Sequence, residues 1–198
     1  MLISHRGNGL HKYAENTKEA IFSVLNEAVD GVEFDVRLTL DNKLIISHDP
    51  IINGNIIRLT PLKILKKHAN VSTLNEILKK IKTNKIILID IKSELDDHIK
   101  ICNLLNNILK KYNLNIYICS FNKKIIDNLI GKVGLLIGYY INKKYLYNNY
   151  YFNIVHYNYK DLIDSKKETF IWTINDKNKA ILIDSNKYII TDKYYLIK

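Results

Sequence analysis

Along this chain the spacing of apolar residues switches repeatedly between the two-residue alternation of a strand and the three-to-four-residue recurrence of a helix. Residues 2–4 read as a short strand, followed by a polar loop through Gly7 and Gly9. A helix is predicted from Asn16, taken as its N-cap with Glu19 three residues on, because Ala20, Ile21, Val24, Leu25 and Ala28 recur at helical spacing. Asp30-Gly31 turns the chain into a second strand, and residues 37–49 read as a short hairpin with its turn at Asp41-Asn42, whose return strand delivers His48. Thr60-Pro61 is expected to cap a helix running to about Lys67. Ser72 or Thr73 opens another with Leu74, Ile77, Leu78 and Ile81 as its stripe. The run Ile86-Ile87-Leu88-Ile89-Asp90-Ile91-Lys92 is a near-continuous apolar strand of the kind buried on both faces in a parallel sheet.

The second half continues in the same way. Helices are predicted over 95–111, 123–130 and 176–184, and strands over 116–119, 133–140, 151–157, 169–174 and 188–190. With the hairpin set aside, eight principal strands alternate with helical segments, which implies parallel pairing and right-handed crossovers. Eight such units predict a closed (β/α)8 TIM barrel in the α/β class. At 198 residues it is small for that fold, so two crossovers must be very short. The competing architecture, a flat doubly wound sheet, lacks its usual G-x-G-x-x-G after the first strand.

Composition narrows the picture further. The length and the 47% hydrophobic content suit one globular domain spanning 1–198, with no Ser/Gly-rich linker to divide it. No apolar run is long enough to cross a bilayer, and the first residues lack the basic and apolar regions of a secretion signal. Cys102 and Cys119 have neither metal-site spacing nor the density of a disulfide scaffold, so a reducing cytoplasm is expected. The formal charge of +10 invites an anionic partner. The lysines are scattered among Ile, Asn and Tyr without a compact basic tract, however, so they read as a solvated surface and nucleic acid is not an expected partner. The Tyr-rich stretch 139–159 is read as barrel wall plus a short crossover.

The most chemically pointed stretch is Gly31-Val32-Glu33-Phe34-Asp35-Val36. Side chains alternate along a strand, so Glu33 and Asp35 share one face. Two acids side by side among apolar residues are costly unless a cation or a shared proton offsets them, and a divalent metal is the economical solution. Asp90 and Lys92 likewise share a face. In a TIM barrel the active site lies at the C-terminal ends of the strands, and His5, Arg6, Glu33, Asp35, Asp90, Lys92, Ser120 and Trp172 all fall at or near such ends.

His5-Arg6-Gly7, Glu15-Asn16-Thr17, Glu33-Phe34-Asp35-Val36, Thr39-x-Asp41 and His48-Asp49 together resemble the N-terminal signature of the glycerophosphodiester phosphodiesterase family. The resemblance continues through Asp90-Ile91-Lys92, Ser120-Phe121, Trp172-Thr173-Ile174-Asn175 and Ile190-Thr191-Asp192, so it spans nearly the whole chain. It implies a TIM barrel that cleaves a small-molecule glycerophosphodiester to glycerol 3-phosphate and an alcohol with a divalent metal, Mg²⁺ or Ca²⁺. It further implies Glu33, Asp35 and Asp90 as metal carboxylates, His5 and His48 as the acid/base pair, and Arg6 and Lys92 as phosphate-binding cations. Asn16 and Trp172 are candidates for the pocket. Which histidine is base and which acid stays open. The chain departs from the family in three places: Asp90 stands where Glu is usual, Ala14 where Pro is usual, and the cap insertion after His48-Asp49 is shortened. The shortened cap keeps bulkier diesters open as substrates, among them those of polysaccharides, nucleotide-activated polyols and lipids, and an inactive barrel that binds anions through its lysine-rich surface is the alternative from a different class.

Overall fold

The computed structural model describes residues 1–9, 12–94, 96–138, 150–163 and 166–197. Its elements in chain order are β1 (Leu2–Ser4), α1 (Lys18–Leu25), β2 (Gly31–Leu38), β3 (Leu44–Ile46), β4 (Ile51–Ile52), β5 (Asn55–Ile56), α2 (Leu62–His68), α3 (Leu74–Leu78), β6 (Ile86–Ile91), α4 (His98–Leu109), β7 (Ile116–Ser120), α5 (Lys123–Asp127), β8 (Val133–Ile137), β9 (Asn153–His156), β10 (Thr169–Trp172), α6 (Lys177–Ile181), β11 (Tyr188–Thr191) and α7 (Tyr194–Ile197). Eight strands pair in parallel in the order β1-β2-β6-β7-β8-β9-β10-β11, and β11 closes on β1. The fold is a small TIM barrel. β3 folds back antiparallel on β2 as the expected hairpin, with Asn42 in its turn at positive φ. β4 and β5 make a two-residue ribbon, the reduced cap.

Alternation along the strands divides two apolar layers. Outward-facing Val32, Phe34, Val36, Ile87, Ile89 and Ile91 pack against Ile21 and Val24 of α1, Leu74, Ile77 and Leu78 of α3, and Leu105 of α4. Inward-facing Ile3, Leu88, Cys119, Leu136, Ile154 and Ile190 fill the barrel's middle. Toward the N-terminal ends of the strands, Tyr117, Phe152, Phe170 and Tyr188 close the floor. Their rings meet edge-on or stacked, with centroids 4.4 Å apart for Phe170 and Tyr188 and 5.1 Å for Phe152 and Phe170. Gly134 is required here, because a Cβ would lie 2.7 Å from the Phe152 ring.

Two expectations shift. Thr17, not Asn16, caps α1 by accepting from the Ala20 N–H, because the Asn16 amide is occupied by Asp35. Pro61, not Thr60, holds the cap position of α2: the Thr60 hydroxyl donates to the Ile56 carbonyl, and Asp41 Oδ1 accepts from the first helical N–H. α3 does carry the capping box of Thr73 and Glu76. The crossover from β9 to β10 contains a 3-10 stretch, Tyr157–Leu162. Residues 139–149, most of the Tyr-rich stretch, lie outside the described residues. Among the described residues no helix is long and apolar enough to cross a membrane.

Candidate active site at the C-terminal mouth

Immediately after β1 the chain makes a tight turn through His5–Gly7, with Arg6 at φ +55° and Gly7 at φ +67°. A Cβ on Gly7 would come within 2.9 Å of the Ile21 backbone, so glycine lets α1 approach. The turn directs the Arg6 N–H to Glu33 Oε2 at 2.9 Å. His5 Nδ1 meets Asp192 Oδ1 at 2.7 Å, leaving Nε2 3.9 Å from Glu33 Oε2. Asp192 is itself held by Asn175, whose amide donates to Oδ2 at 2.7 Å and accepts from the Asp192 N–H at 2.9 Å. Burial disfavours a charged His5, but Asp192 and Glu33 outweigh it and hold its pKa above the ordinary value.

The register of β2 against β6 places Asp35 opposite Asp90, one step beyond Glu33. Each of Glu33, Asp35 and Asp90 is buried, and each offers an oxygen within 4.8 Å of the others. Lys92 bridges two of them, 2.5 Å from Asp90 Oδ2 and 3.0 Å from Asp35 Oδ1. Asn16, at φ +55°, donates to Asp35 Oδ2 at 2.8 Å and accepts from the Asp35 N–H at 3.0 Å, locking that carboxylate from behind. Arg6 donates to Glu15 Oε1 at 2.7 Å and sits 3.6 Å from Asp35 Oδ2.

Lys92, with Arg6 and His5 at longer range, does not fully offset three buried carboxylates. Burial, then repulsion from Asp35 and Asp90, pushes the Glu33 pKa up to about 8, against the pull of His5 and the Arg6 N–H. Asp90 is also raised, by burial first, despite Lys92. Lys92 is raised in turn, since the two aspartates outweigh its own burial. Asp90 Oδ1, Arg6 Nε and Trp172 Nε1 are buried without a hydrogen-bond partner. An all-oxygen donor set with an unpartnered buried carboxylate oxygen suits a hard divalent cation, so Glu33, Asp35 and Asp90 could hold one.

His48 approaches from the hairpin. Its Nδ1 meets Asp49 Oδ1 at 2.8 Å, and its carbonyl accepts from Arg37 Nε at 2.7 Å. His48 is the more open of the two histidines, 36% exposed at the side chain against 19% for His5. Both line a cavity of about 170 Å³ together with Arg6, Glu33, Asp35, Asp90, Lys92, Phe121 and Trp172. Trp172 meets His156 at 5.0 Å and Phe121 at 6.0 Å between ring centroids, each in a T-shaped contact, forming an aromatic wall. Asn16 lies outside that lining, behind Asp35. Ser120 closes a turn instead, donating to the Ile91 carbonyl and accepting from the Asn122 N–H.

Glu15, Asn175 and Asp192 stand in the motifs quoted above without a site role, and Arg37 only as the start of the hairpin; the structure gives each a place at the mouth. For Asp192 and Asn175 a signal was available, because both follow the C-terminal ends of barrel strands. Arg37 carried one too: it is two residues beyond Asp35 on the same strand and therefore on the same face.

Residues 5–132 match the Glycerophosphoryl diester phosphodiesterase family. A glycerophosphodiester phosphodiesterase of Caldanaerobacter subterraneus subsp. tengcongensis is 27% identical over 217 residues, covering 89% of this chain and 86% of that protein. The crystal structure of a glycerophosphodiester phosphodiesterase from Thermotoga maritima has a TM-score of 0.79 at 26% identity, covering 98% of this chain and 95% of that one. Two others show the shared fold: a glycerophosphodiester phosphodiesterase from Parabacteroides distasonis, with TM-score 0.84 at 24% identity over 96% and 92% of the two chains, and an Oleispira antarctica phosphodiesterase in complex with the product sn-glycerol-3-phosphate, with TM-score 0.81 at 17% identity over 100% and 94%. The stretch matched to the family takes in both histidines and all three carboxylates of the mouth, and the chain belongs to the glycerophosphoryl diester phosphodiesterase family, a family of phosphoric diester hydrolases.

Proposed function

We propose that this protein, acting as one domain over 1–198, hydrolyses a small glycerophosphodiester to glycerol 3-phosphate and an alcohol with the help of Mg²⁺ or Ca²⁺. The observation that carries this reading is the convergence of Glu33, Asp35 and Asp90 on one point of a cavity that both His5 and His48 line. The product bound to the Oleispira antarctica relative, sn-glycerol-3-phosphate, supports the choice of substrate class. Two free, buried cysteines favour a cytoplasmic setting.

Glu33, Asp35 and Asp90 would hold the cation, which when bound supplies positive charge for the phosphoryl oxygens. Arg6 and Lys92 add charge to the same cavity and orient the diester, countering the charge that builds as the phosphorus is attacked. His5, with Nδ1 tied to Asp192, presents Nε2 to take the proton of the glycerol 2-hydroxyl. That oxygen attacks phosphorus, the bond to the alcohol breaks, and His48 donates the proton the leaving oxygen needs. Water then opens the cyclic phosphate with the proton transfers reversed: His48 takes the proton of the water and His5 returns one to the 2-oxygen. Trp172 and Phe121 provide an apolar wall against which the carbon skeleton packs.

The test is a screen of phosphodiesters with Mg²⁺, Mn²⁺, Ca²⁺ or EDTA, following release of phosphomonoester. His5→Ala and His48→Ala should each lower turnover by roughly 10²-fold or more. EDTA should abolish activity, and added cation should restore it. Near-normal rates in both variants would overturn the histidine roles. Full activity after exhaustive chelation would overturn the metal site.

A further inference from the structure

The backbone ladder that holds the hairpin stops short of His48. β3 pairs with β2 only as far as Ile46, opposite Val36, and the last backbone bond on this side runs from the Ser47 N–H to the Asp35 carbonyl at 3.1 Å. At the next residue a side chain takes over: Arg37 Nε donates to the His48 carbonyl at 2.7 Å. The Arg37 side chain is only 11% exposed, and its far end is ion-paired with Glu94 in the loop after β6. Arg58 fastens the same loop to the cap through Asp97, with bonds of 2.5 and 3.0 Å. Arg37 therefore ties the segment bearing His48 to the segment that follows Asp90 and Lys92.

We propose that Arg37 is a positioning residue for His48, setting the backbone from which that histidine delivers a proton to the leaving alcohol. The inference rests on the acid role of His48 given above. A guanidinium suits the task because its planar fork bonds the carbonyl through Nε while a terminal nitrogen holds the carboxylate of Glu94. Both Nε and that terminal nitrogen are thus committed to protein groups.

Leaving-group chemistry separates this role from a structural or phosphate-binding one. A glycerol phosphodiester of 4-nitrophenol releases a phenolate that needs no proton, whereas glycerophosphocholine releases an alkoxide that does. In the metal-loaded enzyme, Arg37→Met should lower the first-turnover rate of choline release from glycerophosphocholine by about tenfold or more, part of what a general acid contributes. The first-turnover rate of nitrophenolate release, which precedes the step in which His48 acts as base on water, should stay within about twofold, with KM little changed on both substrates. Arg37→Lys should recover part of the loss, and Glu94→Gln should produce a smaller split of the same sense. If Arg37→Met does not fold, Arg37→Lys and Glu94→Gln carry the same measurement. Equal losses on both substrates, a change confined to KM, or unchanged rates on both would overturn the proposal. His48→Ala is measured in parallel. If it lacks the leaving-group split, the acid assignment falls and this inference with it. If it shows the split and the Arg37 and Glu94 variants do not, only the role of Arg37 falls.

Discussion

The two ends of the barrel are built from the same alternation of inward and outward residues, yet they treat polar groups in opposite ways. At the floor, the Tyr117 hydroxyl donates to the Glu168 carboxylate at 3.0 Å and accepts from Lys132 at 3.1 Å, while Tyr188 donates to Glu168 at 3.4 Å. These hydroxyls cap a cluster of aromatic rings, and every one has a partner. At the mouth, the Lys92 ammonium reaches only two of the three buried carboxylates, and Asp90 Oδ1, Arg6 Nε and Trp172 Nε1 have no hydrogen-bond partner. A satisfied network stiffens a core, whereas an unsatisfied buried one costs free energy until a ligand completes it. The floor therefore carries stability and the mouth carries chemistry.

Substitutions at the two ends should separate these properties. The largest effect is expected at the floor, where Phe170→Ala should destabilise by about 3–5 kcal/mol in urea unfolding. The fraction that remains folded should keep its KM. A fall in activity per folded molecule as large as that of a mouth variant would break the contrast. Glu33→Gln comes next: it should reduce turnover by roughly 10²-fold, since it weakens a site worth several kcal/mol to the transition state. It should leave the Tm of the metal-free protein unchanged or higher, because a neutral amide replaces a carboxyl whose ionised form burial and the neighbouring aspartates disfavour.

The smallest effect is a pH dependence confined to the mouth. The Glu33 pKa is about 8 in the folded protein against an ordinary 4.5, so between those values the folded state retains a proton that the unfolded chain has released. The stabilisation is complete below about pH 4.5 and is lost as pH rises toward about 8. In EDTA, wild-type Tm relative to Glu33→Gln should fall across this window. Saturating Mg²⁺ or Ca²⁺ should flatten the difference. A parallel course of the two proteins in EDTA would show that the strain at the triad is absent.

What could be read along the chain was whatever depends on near neighbours. The apolar run of β6 and the alternation in Glu33-Phe34-Asp35 mark strands and faces because side-chain direction is set by the backbone two residues away. The order of eight strands followed, and with it the barrel and the rim on which His5, Asp35, His48 and Asp90 lie. The limits of local inference are equally specific. Asn16 looked like a helix cap because it stands before an apolar stripe with a glutamate three residues on. Its amide instead bonds Asp35, 19 residues later, and Thr17 takes the cap.

The partner of His5 is 187 residues away. Asp192 reaches it because β11 closes the barrel on β1, with Thr191 opposite Ser4, a pairing that no local pattern encodes. The grip of Arg37 on His48 likewise depends on where a hairpin ladder ends. Local periodicity was enough to choose the strands and the face on which the acids stand. Only barrel closure and strand register could decide which polar groups meet there, because each such meeting joins residues far apart in the chain through geometry that exists only once the whole sheet is closed.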